Sequence, residues 1–326
     1  MRVAEKAVAP MSSEIAADLE QAARALLGAS QVALACHISP DGDALGSMLG
    51  FHHMLVAAGR QSVASFSNPF VVAPHYRQIP GIDLLTPPGE FPSEPDVMVT
   101  FDSGSITRLG DLEPSAKAAR ELIVVDHHIS NTRYGSINVI DASAAASSVI
   151  AYKLAKAAGL ELNRDAAVCL FAALVCDTGR FQYESTTAEV FELAQELLTF
   201  DVPVASLTRS LFEEHRFAYL GLIAEVLGKA KLVPSKSFVW AAVTQADLSR
   251  HGVTLEETAG LIDLVRRTAE ADVSCVLKED ASGAVRVSLR SLGGADVSAL
   301  ATKFGGGGHK FEAGFNSQFG NYDLRQ

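Results

Sequence analysis

Histidines and aspartates stand just beyond apolar runs at four places in the chain. His37, Asp41 and Asp43 lie in HISPDGD, Asp102 follows VMVTF, Asp126, His127 and His128 follow LIVV, and Asp177 follows DAAVCLFAALVC. Imidazole mixed with carboxylate suits manganese, iron, cobalt or zinc better than an all-oxygen magnesium or calcium site. One aspartate shared by two such ions about 3.5–4 Å apart makes a phosphoesterase centre, which acidifies a bound water and neutralises charge on phosphoryl oxygens. Asp177 adds its own argument. A carboxylate closing an apolar helix faces the negative end of the helix dipole, and burying it without a partner costs several kcal/mol, roughly. A bound cation removes both penalties. Any one of these aspartates alone reads as a turn former or helix cap. It is their common position that points to metal.

That position depends on the elements carrying them. Residues 31–38 (QVALACHI), 61–66, 97–101 and 122–125 read as strands, the last two fully apolar, with a helix over 44–58. Continuous apolar strands separated by helices imply a parallel sheet covered on both faces. Ligands of such sheets bind beyond the carboxyl ends of the strands, where three of these strands deliver His or Asp. Pro40 and Gly42 suit a tight turn that folds Asp41 and Asp43 back toward His37. Helices are expected over 147–158, capped by Gly159, over 165–176, apolar all round and therefore buried, and over 187–198.

The pattern weakens near Pro203, which places a linker over 200–227 between a first domain, 1–199, and a smaller α/β domain, 228–326. In the second domain, strands are expected over 238–243, 272–278 and 284–290, and helices over 261–269 and 297–303. It ends in a glycine run, FGGGGHKFEAG. Gly306, Gly307 and Gly308 allow backbone N–H groups to approach an anion. His309 follows, and Arg286, Arg290, Lys303 and Lys310 make the surroundings basic. The stretch lacks the Gly-Lys-Ser/Thr of a Walker loop and reads as a phosphate or nucleotide clamp. His52 and His53 in mid-helix read as packing or surface residues, and Trp240 in a strand as a core residue.

Composition narrows the classes. The chain has 326 residues, room for two cores, with 48% hydrophobic and 20% charged residues, ordinary for a globular enzyme. No apolar run is long enough to span a bilayer, and the first residues match neither a signal nor a transit peptide, so a cytoplasmic protein with no membrane partner is expected. Four scattered cysteines without a CxxC pair argue against thiolate zinc or redox chemistry. A net charge of -11 disfavours a grip on long nucleic acid, but a small nucleotide needs only a local cationic site.

In order, His37-x-x-x-Asp41-x-Asp43, Asp102, Asp126-His127-His128 and Asp177 resemble the DHH phosphoesterase superfamily, and Gly305–His309 (GGGGH) resembles its DHH-associated domain. The resemblance covers nearly the whole chain. Within the superfamily the sequence is similar to the bifunctional oligoribonuclease and pAp phosphatase group, the nano-RNases; the wording DHHISN, DTGRF and FGGGGH is that of actinobacterial members, which also act on pApA and cyclic di-AMP. The resemblance implies two divalent metal ions, manganese foremost, with His37 and Asp41 on one, Asp43, His127 and Asp177 on the other, and Asp102 bridging. It implies that Asp126 orients an imidazole, that His128 contacts the scissile phosphate or a nearby acid, and that Arg290 and His309 bind the substrate's terminal phosphate or base. A homodimer and a short RNA or nucleotide substrate are implied as well. An inorganic pyrophosphatase or polyphosphatase of the same superfamily, and a nucleotide-binding regulator without catalysis, are the alternatives. The chain closes in FNSQFGNYDLRQ, where relatives are expected to continue with another helix or strand.

Overall fold

In the first unit, helix α1 (Ser13–Gly28) leads into strand β1 (Gln31–Cys36), α2 (Gly42–Ala57), β2 (Gln61–Ser65) and β3 (Val97–Phe101). Then follow α3 (Glu113–Ala118), β4 (Glu121–Asp126), β5 (Ile137–Ile140), α4 (Ser147–Ala157), α5 (Arg164–Asp177), α6 (Ala188–Leu198) and α7 (Val204–Phe212). The structure, a computed structural model, describes residues 13–317, so the terminal FNSQFGNYDLRQ lies outside the described residues after Ser317.

The strands form one all-parallel sheet in the order β2-β1-β3-β4-β5. Every residue of β3 is buried, as expected of a strand covered on both faces. The register matters most for function. Cys36 pairs with Phe101, and Phe101 with Val125. The three strands therefore end level, and His37, Asp102 and Asp126 emerge side by side at the carboxyl edge.

Helix α5 is buried from Ala166 to Val175 and packs on α2. Small residues permit this approach. A Cβ on Gly42 would collide with Cys176, one on Gly46 would collide with the Cys169 carbonyl and lie 2.8 Å from the Ala173 Cβ, and one on Gly50 would lie 2.9 Å from Leu170 Cγ. The three glycines, four residues apart, make one groove along α2. The close approach fixes the separation of Asp43 and Asp177, one on each helix. Gly46→Ala should therefore destabilise the protein by about 2 kcal/mol despite the better helix propensity of alanine, because backbone must move. Gly28→Ala, with nothing within 4 Å, should be neutral or slightly stabilising. Thermal melts of the two variants check this; equal melting temperatures would show that the helices can part freely.

The chain divides into its two units between Leu211 and Phe212, with Ala73–His75 counted in the second. The expected linker over 200–227 is instead mostly helix, α7 in the first unit and α8 (Phe217–Gly228) in the second. Pro203 does not break structure there. Its carbonyl accepts the Leu207 N–H at 3.0 Å, so it starts α7, where a proline's missing N–H costs nothing.

The second unit continues with β6 (Lys231–Val233), β7 (Phe238–Val243), α9 (Gln245–His251), α10 (Leu261–Val265) and β8 (Val273–Glu279). It closes with β9 (Val285–Ser291), α11 (Val297–Lys303), β10 (Gly307–His309) and β11 (Glu312–Ser317). Its six strands run in the order β10-β11-β9-β8-β7-β6, with only β7 and β8 parallel. One face packs Val239, Val243 and Val276 against Leu222, Leu248 and Leu261 of the helices. The other packs Cys275, Val287 and Leu289 with Val297 and Ala301 of α11, with half-buried Trp240 beside them. Among the described residues no helix is long and apolar enough to cross a membrane.

Candidate metal centre

The predicted ligands of the first unit converge. His37 Nε2 lies 3.7 Å from Asp41 Oδ2 and 3.4 Å from Asp102 Oδ2. His127 Nε2 lies 3.7 Å from Asp43 Oδ2, 3.6 Å from Asp102 Oδ1 and 3.2 Å from Asp177 Oδ2. Asp102 thus turns one oxygen to each histidine. Atoms of His37, Asp41 and Asp102, and of Asp43, Asp102 and His127, lie close enough to share an ion within each set.

Local structure aims each group. Asp41 is the N-cap of α2 and accepts the Ala44 N–H at 3.0 Å, which turns it back toward His37. Asp43, in the first turn, accepts N–H groups from Ser147 at 2.6 Å and Ser148 at 3.2 Å, both at the N-terminus of α4, and the Ser47 hydroxyl at 3.0 Å. Asp102 holds a left-handed backbone, φ 54°, pinned by its N–H on the Val125 carbonyl at 3.0 Å. That conformation costs on the order of 1 kcal/mol and is tolerated best by Asn and Asp outside glycine. It swings the carboxylate off the strand direction and into the cluster, where Ser147 Oγ donates to it at 3.1 Å.

Charge in this cluster is far from settled by the protein alone. Burial, then the charge of Asp102, push Asp43 up to about 7. Burial also drives Asp177 well above the usual carboxylate range. Burial and Arg108 push His37 down, yet hydrogen bonds to Asp102 and Asp41 outweigh them and leave it at about 9. For Asp102 burial acts upward, but His127 and His37 hold it well below its ordinary value. Protons stand in here for missing positive charge. Divalent cations fit the same donors: carboxylates that burial alone would protonate, and imidazoles whose Nε2 atoms already face them.

Asp126 is fully buried and holds His128, whose Nδ1 lies 2.7 Å from Asp126 Oδ1. The structure so identifies which imidazole Asp126 orients; His127 Nδ1 faces the Ala144 carbonyl at 3.1 Å instead. Sequence reasoning passed over Ser147 and Ser148, whose only signal is a serine pair opening a helix, and Arg108, whose guanidinium lies 3.1 Å from His37 Nδ1.

A family model described as the DHH family, N-terminal domain, matches residues 31–174, and one described as the DHHA1 domain matches residues 236–321. A bifunctional oligoribonuclease and PAP phosphatase, NrnA, of Thermus thermophilus is 31% identical over 281 residues, 86% of this chain and 82% of that protein. The chain belongs to the DHH family. It is a metal-dependent phosphoesterase. Among solved structures, an exopolyphosphatase-related protein from Bacteroides fragilis superposes with a TM-score of 0.86 at 22% identity, covering 97% of this chain and 94% of that one. RecJ of Thermus thermophilus, in complex with Mn2+, gives a TM-score of 0.52 at 16% identity, covering 95% of this chain and 52% of that one. Both share the DHH fold.

In the DHHA1 unit, His309 and Arg290 both pair with Glu312, from opposite sides of β11, so the three form one row across the sheet. Arg290 also lies 3.7 Å from Asp263 and forms an ion pair with Glu312. The glycine run is not wholly a loop. Gly307–His309 is strand β10, and a Cβ on Gly306 would collide with the Gly314 carbonyl and Phe315. Tight hairpin packing thus accounts for part of the glycine content.

Proposed function

We propose that this phosphoesterase hydrolyses short oligoribonucleotides, from dinucleotides to tetranucleotides, together with pApA and pAp, and that cyclic di-AMP is a further substrate. The observation that carries the reading is Asp102, whose two oxygens address two separate imidazole–carboxylate sets. The Thermus thermophilus relative is named an oligoribonuclease and PAP phosphatase, which supports oligoribonucleotides and pAp as substrates. In this reading His37 and Asp41 would hold one manganese ion, Asp43, His127 and Asp177 a second, and Asp102, with an oxygen toward each histidine, would serve both. When bound, such ions would lower the pKa of a water and neutralise phosphoryl charge. His128, held by Asp126, contacts the scissile phosphate and handles a proton at its Nε2. Arg290, His309 and the backbone of Gly306, Gly307 and Gly308 bind the substrate's terminal phosphate or base. The enzyme works in the cytoplasm as a homodimer.

Hydrolysis of pApA, pAp, cyclic di-AMP and pyrophosphate, measured side by side with manganese and with a chelator, tests this. Manganese-dependent AMP release from pApA and pAp is expected. Turnover of pyrophosphate alone would replace the proposal with the pyrophosphatase alternative, and no turnover despite bound metal would favour a regulator.

A further inference from the structure

Asp126 makes more contacts than holding His128 requires. Its Oδ1 accepts the His128 Nδ1–H at 2.7 Å and the His127 backbone N–H at 2.9 Å. Its Oδ2 accepts Nδ2–H of Asn131 at 2.5 Å. The same Asn131 amide donates its other proton to the Ser103 carbonyl at 3.2 Å, and its Oδ1 accepts the Arg133 N–H at 2.6 Å. Asp126 and the Ser103 carbonyl can only accept, and the Arg133 N–H can only donate, so the amide has one orientation that satisfies all three. Backbone reinforces the clamp, with Thr132 N–H on the Gly104 carbonyl at 2.9 Å.

We infer that Asn131 is a positioning residue for the phosphoesterase reaction: by fixing the rotation of the Asp126 carboxylate it fixes the ring of His128, and it ties the loop after β3, which carries Asp102, to the loop after β4. With Nδ1–H committed to Asp126, the ring of His128 is held in one orientation and one tautomer. Without Asn131, Asp126 is a buried carboxylate with one oxygen unsatisfied. It rotates or recruits water, and the imidazole loses its single tautomer. Asp126 Oδ1, Asp126 Oδ2 and His128 Nδ1 all have partners from the chain, so this corner orients a side chain.

Two variants separate positioning from mere turn formation. Asn131→Asp keeps the size and the Oδ1 acceptor that closes the turn on Arg133, but it replaces the donor by a carboxylate facing Asp126. Asn131→Ala removes both. With a chromogenic phosphodiester and with pApA, both variants should lower kcat about tenfold to a hundredfold with little change in KM. Metal content per chain should stay at the wild-type value. In magnesium-loaded protein, free of paramagnetic broadening and at a pH alkaline enough to keep the ring neutral, 15N spectra should show His128 as a single Nδ1–H tautomer in the wild type and a mixture in both variants. The His128 signals are assigned by comparison with His128→Gln. Wild-type kinetics and spectra for Asn131→Asp would overturn the inference and leave Asn131 a turn former. Loss of metal with a parallel rise in KM would overturn it too, by making Asn131 a support of the ligand cluster. Should the wild type hydrolyse neither substrate, the substrate reading fails but the spectra still decide: unchanged His128 signals in the variants would sink the positioning role.

Discussion

Asp102→Asn is expected to lower kcat/KM on any phosphodiester substrate by about a thousandfold or more, the scale on which a preorganised electrostatic contact to the reacting centre acts. The side chain keeps its size, and the fold should survive. What disappears is a negative charge placed between His37 and His127, with one oxygen toward each. No other carboxylate of the cluster lies within 4 Å of both histidines among the described residues. An amide offers one oxygen and one N–H group, so one of the two sets must then face a donor. Asp41→Asn makes the comparison. Asp41 is half-exposed and reaches only His37, and its loss should cost about tenfold to a hundredfold. Steady-state kinetics against metal concentration, with bound metal counted for each variant, reads both. If Asp102→Asn lost less than tenfold at saturating metal, the shared-carboxylate reading would be wrong.

Removing metal should also weaken the fold, and more so as pH rises. Ions held a hundredfold above their dissociation constant contribute about 2.7 kcal/mol, on the order of 5–10 °C in melting temperature for a unit of this size. In stripped protein Asp43 titrates near 7, well above its unfolded value. Between about pH 4 and pH 7 the folded state therefore binds a proton that the unfolded state has released, and stability falls across that window. His37 has the same sign for a different reason. Its folded value near 9 lies above the unfolded 6.5, so the stabilisation it provides is complete below 6.5 and lost as pH rises toward 9. Asp177 and His127, both shifted upward, act in the same direction. Asp102, shifted downward, has the opposite sign: the stability it gives is complete above its ordinary value and is lost only as pH falls below that, outside this window. In loaded protein the ions replace those protons. The gap in melting temperature between loaded and stripped protein should therefore widen from pH 5 to pH 8. A constant or narrowing gap would contradict the buried-carboxylate account.

The strands carrying the site were legible because their apolar runs are short, continuous and bounded. β1, β3 and β4 lie within two residues of where hydrophobic pattern puts them. The convergence of His37, Asp102 and Asp126 followed from one rule about parallel sheets. Other features depend on tertiary contacts with little local trace. Edge strand β5 is only Ile137–Ile140, too short to stand out. The left-handed backbone at Asp102 exists because Val125 on the neighbouring strand holds it, and nothing in VMVTFD announces it. Ser147 and Ser148 matter only because α4 begins beside Asp43. Around Pro203 a correct observation led to the wrong element, since a proline that ends one helix and a proline that begins another look alike until the neighbouring residues are placed. In the second unit a hairpin partner, Gly314, accounts for part of a glycine run that sequence could read only as a loop or an anion clamp.

The parallel order of the first sheet also has a kinetic side. Neighbouring strands there are never joined by a tight turn, and β1, which lies between β2 and β3, waits for both before it is enclosed. Such non-local pairing is slow to form. The donors arrive from the loops after three strands and from the ends of two helices, with Asp177 last. A newly made chain therefore has no complete metal site to offer until the sheet has closed and α5 has docked on α2. Cations cannot serve as a nucleus for this fold. They act on the finished unit, prolonging its lifetime without hastening its birth.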